Sequence, residues 1–123
     1  MTHRLTPHSQ TAMGADRDHL QAIETAIAQI ERYQLRGKKQ FLENELIRTW
    51  ILFQLQAIGK AAAALSIETR HSAPQVPWLD LVDFRHWLLR DEYRSNVELI
   101  WAIVEQQMPK LKLEIQTLIH TTS

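Results

Sequence analysis

At 123 residues, 45% of them hydrophobic, the chain is long enough to bury one core and too short for two. Fourteen Lys and Arg balance fourteen Asp and Glu, so no long-range field draws it to nucleic acid or an anionic membrane, and any nucleic-acid contact must be local. Without cysteine there is no disulfide framework, no thiolate nucleophile and no thiolate metal ligand.

Residues 1–15 (MTHRLTPHSQTAMGA) are polar, hold Pro7 and Gly14 and show no period, so they read as a flexible tail in which His3 and His8 are solvated. There is no apolar leader and no run of membrane-spanning length, and the chain is expected to be soluble and cytoplasmic. From Asp16 onward Leu20, Ile23, Ile27 and Ile30 recur at three- and four-residue steps, which predicts a first helix to about Leu35. Asp18, with Gln21 three residues on, is the candidate N-cap, and Gly37 the left-handed stop.

A second helix is predicted from about Gln40 to Ser66 with two apolar stripes. Leu46, Trp50, Phe53 and Ala57 form one, and Ile51, Leu55, Ile58, Ala62 and Leu65 the other. One helix needs a single buried face, so part of this surface is expected to meet another chain, most simply across a two-fold axis. The run Ala61–Ala64 after Gly59 either lets helices approach closely or reflects helix propensity alone. Residues 68–76 read as a loop with Pro74, His71 solvated within it.

Pro77 opens a third helix, predicted to about Glu92, with Trp78, Val82, Leu88 and Leu89 turned inward. Asp80 and Asp83 suit its positive end better than a metal site. Ser95 and Glu98 have capping-box spacing for a fourth helix. Its seam, Val97, Trp101, Val104, Met108, Leu111, Ile115 and Leu118, continues past a kink at Pro109 to about His120. Four helices, short connections and no β-alternation predict an all-α, antiparallel four-helix bundle forming a single domain over residues 16–123.

No Gly-rich phosphate loop, HExxH, GxSxG or nucleotide fingerprint is present. Chemistry concentrates in Asp83–Asn96, DFRHWLLRDEYRSN, where aromatic residues interleave with Arg85, His86, Arg90 and Arg94. Around it stand AIETAIAQIERY, FLENELIRTWILFQLQAIGKAAAALS, VPWLDLVDFR and VELIWAIVEQQMPKLKLEI. In their order and spacing these segments, over about His19 to Ile119, resemble the HepT-like proteins of the HEPN superfamily.

The resemblance implies a bundle that dimerises around a cleft, RNA cleavage without a metal or other cofactor, and a toxin neutralised by a small nucleotidyltransferase that transfers AMP to a tyrosine. In that family the cleft holds an Arg, a short spacer and a His, then a Tyr two residues on. Arg85 occupies the Arg position and His86 stands where an Asn is common. Arg90 stands where the His is expected and Glu92 where the Tyr is expected, with Tyr93 one residue late. RNA cleavage needs a base for the ribose 2′-OH, a cation for the phosphate and an acid for the leaving oxygen. Arg85 fits the second role, but a guanidinium such as Arg90 does not give up its proton at any working pH.

His86 and Arg90, at i and i+4, share a helical face, so the base and cation roles can have exchanged by one turn. The alternative for His86 is a surface pair with Asp83. Catalytic candidates are thus Arg85, His86 and Arg90; Trp87 and Arg94 are candidates for RNA contact, Trp87 alternatively for dimer packing, and Tyr93 for modification. A catalytically silent subunit that still binds the nucleotidyltransferase, and a helical interaction protein unconnected with RNA, are the competing readings.

Overall fold

Two polar residues, Asn44 and Ser66, decide how the apolar runs in the middle of the chain divide. In the computed structural model, which describes residues 5–122, Asn44 is extended and its Oδ1 accepts hydrogen bonds from the N–H groups of Leu46 and Ile47 at 3.0 and 3.2 Å. A short polar side chain that satisfies two first-turn donors starts a helix. The predicted second helix is therefore two, α2 (Gly37–Glu43) and α3 (Glu45–Ala64). Arg48 bridges the break: its Nη1 donates to the Phe41 and Leu42 carbonyls at 3.2 and 2.8 Å, satisfying acceptors that α2 leaves open at its end.

The first helix, α1 (Leu5–Gln34), begins well before Asp16, so residues 5–15 of the expected tail are helical, while residues 1–4 lie outside the described residues. Pro7 falls in its first turn, where a missing N–H costs nothing. Asp18 and Gln21 are consequently mid-helix and not caps. Gly37 does adopt a positive φ, +92°, where α1 gives way to α2. The predicted inward stripe is the core face: Leu20, Ile23, Ile27 and Ile30 are at most 1% exposed, each burial contributing about 1.5–3 kcal/mol.

The segment read as a loop contains a short helix, α4 (Ile67–Ser72). Its N-cap Ser66 accepts from the Thr69 N–H at 3.2 Å, and the cap is itself clasped by the buried Asp16. One Asp16 oxygen accepts from the Ser66 N–H at 2.9 Å; the other accepts from the Ser66 and Thr69 hydroxyls, both at 2.6 Å. At the far end of α4 the Trp78 indole N–H donates to the Arg70 and Ala73 carbonyls at 3.1 Å. The third predicted helix, α5 (Trp78–Leu89), stops three residues early because Asp91 turns left-handed (φ 61°). Leu89, expected inward, is exposed.

A 3-10 turn over Glu92–Ser95 follows, then α6 (Val97–Thr122), which runs unbroken through Pro109. Ser95 does not form the expected capping box: its hydroxyl donates to the Glu92 carbonyl at 3.4 Å, and it is the Asn96 carbonyl that takes the Leu99 and Ile100 N–H groups. The α6 seam is buried at Trp101, Val104, Met108, Leu111, Ile115 and Leu118.

Helix directions follow from contacts at opposite ends. Asp16 reaches Ser66 while Tyr33 meets Trp50 edge-on at 6.2 Å, so α1 and α3 are antiparallel. Lys112 pairs with Glu31 at 3.2 Å, and Phe41 of α2 packs on Trp101 at 5.4 Å, joining α6 to the same core. Among the described residues no strand occurs, and no helix is long and apolar enough to cross a membrane.

Burial raises the Asp16 pKa, but the Ser66 and Thr69 hydroxyls, the Ser66 N–H and nearby His19 outweigh it and hold the carboxyl below its usual 3.8. A depressed native value means that Asp16 stabilises the fold above the unfolded pKa and loses that contribution as pH falls through the native one. Asp16→Asn is expected to cost about 1–3 kcal/mol at neutral pH. In urea titrations the gap from wild type should shrink as pH drops below 3.8.

Candidate functional site

The residues singled out in DFRHWLLRDEYRSN occupy α5 and the corner that joins it to α6, and their orientation is set by one glycine. A methyl group at Gly59 of α3 would lie 2.5 Å from the Arg85 Cβ and 2.8 Å from the Leu81 carbonyl oxygen. Gly59 is therefore where α5 lies directly on α3, and of the two readings of this stretch close approach holds at the glycine itself. Arg85, half-buried, is the α5 residue at that contact.

With Arg85 turned to α3, the helical period fixes its neighbours. Leu88, three residues on, is 1% exposed, and His86 is exposed. The Arg90 N–H bonds the His86 carbonyl at 3.3 Å, so these two residues keep their one-turn relation to the end of the helix. Phe84 and Trp87 are half-buried and stack on each other at 5.6 Å with their planes 21° apart.

Charges at the corner are mostly matched locally. Arg90 Nε pairs with a Glu92 carboxylate oxygen at 2.8 Å, and Arg94 approaches Asp91 at 3.9 Å; both pairs are exposed. The side chains of Arg85 and His86, in contrast, form no hydrogen bond or ion pair with any described residue. The alternative pairing of His86 with Asp83 is not formed. Two of the arginines in the stretch are thus compensated, while Arg85 and His86 carry no such partner. Among the described residues no three His, Cys, Asp or Glu side chains gather as metal ligands.

Tyr93 and Arg94 belong to a different surface. The 3-10 turn carries Tyr93 back toward the start of α3, where it lines a pocket of about 300 Å³ with Glu45, Arg48, Thr49 and Arg94. Because Gly59 meets Arg85 while Arg48 meets this turn, α5 runs antiparallel to α3. The α3 residues of the pocket were missed in the sequence, although a signal exists: Glu45, Arg48 and Thr49 are polar positions spaced i, i+3, i+4 at the head of an otherwise apolar helix.

A family model described as "Ribonuclease HepT-like" matches residues 23–118. The chain belongs to this HepT-like family. It is 31% identical over 94 residues to "Putative RNase MJ1380" of Methanocaldococcus jannaschii, an alignment covering 76% of this chain and 86% of that protein. It is 24% identical over 103 residues to "Probable ribonuclease HepT" of Thermococcus cleftensis, covering 83% and 94%. "Putative RNase TTE0752" of Caldanaerobacter subterraneus is 23% identical over 91 residues, covering 74% and 81%. No solved structure matches. The segment with HepT-like character includes α3, α5, the corner and most of α6, and it excludes Asp16.

Gly59→Ala weighs about 1 kcal/mol of helix propensity in favour of alanine against about 1–3 kcal/mol of overpacking. The contacted atoms are a backbone carbonyl and a Cβ, which cannot swing aside, so the clash is expected to win. The variant should unfold at lower denaturant concentration than wild type, whereas Ala63→Gly on the exposed side of α3 should show only the propensity loss.

Proposed function

We propose that this HepT-like chain is a metal-independent ribonuclease, the toxin of a toxin–antitoxin pair, acting as a homodimer and neutralised by a small nucleotidyltransferase. The observation that carries the catalytic part is the unpartnered Arg85 and His86, adjacent on α5 and held in place by the Gly59 contact. The relatives named as ribonucleases support the reaction class.

In this reading the ribose 2′ oxygen attacks phosphorus as its proton passes to His86. Arg85 stabilises the five-coordinate phosphate through paired N–H donors. The P–O5′ bond breaks, the leaving oxygen takes a proton from solvent, and the products are a 2′,3′-cyclic phosphate and a 5′-hydroxyl. Arg90, one turn beyond His86, adds positive charge once an RNA phosphate takes the place of Glu92 against it, and Trp87 and Arg94 hold flanking RNA.

The exposed α3 stripe supports the dimer. Leu46 is 83%, Phe53 57% and Trp50 40% exposed, and the Trp50 and Phe53 rings stack at 5.8 Å. Such a row is the kind of surface a second copy covers. Tyr93 is the tyrosine offered to the nucleotidyltransferase.

A second reading draws on the Arg90–Glu92 ion pair. These two positions, where the resemblance implies a histidine and a tyrosine, bind each other at 2.8 Å. A chain whose corner is closed in this way is a non-enzymatic subunit that binds the nucleotidyltransferase.

RNA cleavage assayed with a chelator present separates the two. The ribonuclease reading expects wild-type cleavage and a loss of about a hundred- to ten-thousand-fold in His86→Ala, with Arg85→Ala also abolishing growth arrest on induced expression. Equal rates in wild type and His86→Ala remove the histidine from the chemistry, and a wild type that neither cleaves RNA nor arrests growth favours the second reading. Sedimentation checks the assembly: wild type should run as a dimer and Phe53→Glu as a monomer, a shared monomeric mass overturning the α3 interface.

A further inference from the structure

Beyond α5, the pocket between the head of α3 and the 3-10 turn has a composition the core does not need. It brings two guanidinium groups, Arg48 and Arg94, to one recess with the Thr49 hydroxyl and the Tyr93 ring, in a chain that has no net charge to spread. Arg48 is half-buried, and its Nη1 is fixed by the Phe41 and Leu42 carbonyls. Its Nη2 and Nε donors have no acceptor among the described residues. A guanidinium anchored at one nitrogen and open at the others is pre-organised for a bidentate acceptor. Glu45 also lines the recess without pairing with either arginine, and Arg94 approaches Asp91 at 3.9 Å, so the open donors of the recess are those of Arg48.

We propose that this pocket is a phosphate subsite, with Arg48 as the fixed ligand, Arg94 as the mobile one and Tyr93 beside them to stack on or hydrogen-bond the attached nucleoside. It deepens the ribonuclease reading and rests on it for the source of the phosphate: Gly59 and Arg48 are about 16 Å apart along α3, so an RNA strand whose reacting phosphate lies at Arg85 and His86 places a phosphate further along the strand here. Arg48 and Arg94 then bind RNA without taking part in bond breaking. A mononucleotide carries the same phosphate chemistry and is the alternative source.

Amide NMR of the full chain, titrated with AMP and separately with a 2′-O-methyl oligoribonucleotide that cannot be cleaved, tests the assignment. Both ligands are expected to shift the signals of Arg48, Thr49, Tyr93 and Arg94, the oligonucleotide at the lower concentration. Arg48→Gln should weaken oligonucleotide binding about tenfold and reduce the salt slope of binding by about one ion. Arg94→Gln, at an exposed position outside the core, should do the same to a lesser degree and guards against loss of the α2 cap in the first variant.

Oligonucleotide binding that is unchanged in both variants overturns the subsite while leaving ribonuclease activity standing. Shifts at these residues in a protein that does not cleave RNA support the subsite and remove the catalytic reading. AMP binding with no response to the oligonucleotide overturns the RNA source and leaves a mononucleotide pocket.

Discussion

Helix α5 rests on α3 at a point where α3 contributes no side chain, and much of the molecule's character descends from that contact. With the Arg85 Cβ and the Leu81 carbonyl seated over Gly59, α5 has no freedom to roll about its axis. Leu88 is then forced inward, His86 outward, and Arg90 follows His86 one turn later. The same placement leaves a largely apolar groove of about 360 Å³ between α5 and α6, floored by Leu55 and Ile58 and walled by Phe84, Ile103 and Met108. Close packing of helices is usually described as a matter of stability. Here it also determines which side chains meet solvent.

The corner after α5 depends on a second local constraint. Asp91 holds a left-handed backbone, a conformation that a short polar residue tolerates at modest cost. The chain reverses there within a few residues, and Tyr93 is returned to the head of α3 instead of continuing along α5. Candidate groups that are near neighbours in sequence thereby separate. Arg85 and His86 stay on α5; Tyr93 and Arg94 line the recess at the head of α3.

Long apolar periods were legible in the sequence and short polar switches were not. The α6 seam from Trp101 to Leu118 and the α1 stripe from Leu20 to Ile30 match the buried faces because burial of an apolar row imposes its own spacing. The break at Asn44 escaped because the apolar residues on either side, Phe41 and Ile47, are both fully packed, so hydrophobicity alone does not mark the interruption. Helix α4 escaped for a different reason: its cap is completed by Asp16, a residue far away in sequence, and no local pattern records such a partner. At the candidate site the residue types of DFRHWLLRDEYRSN were visible, but the end of the helix at Leu89 was not. The polar spacing of Glu45, Arg48 and Thr49 gained meaning only once the 3-10 turn was seen opposite it.

The tryptophans divide by environment. Trp78 and Trp101 are buried, Trp87 is half-covered against Phe84, and Trp50 stands on the open α3 face beside Phe53 and Tyr33. Anything that settles on that face changes the polarity around one indole and leaves the two interior ones undisturbed. The chain consequently carries its own label-free fluorescent reporter of whatever occupies α3.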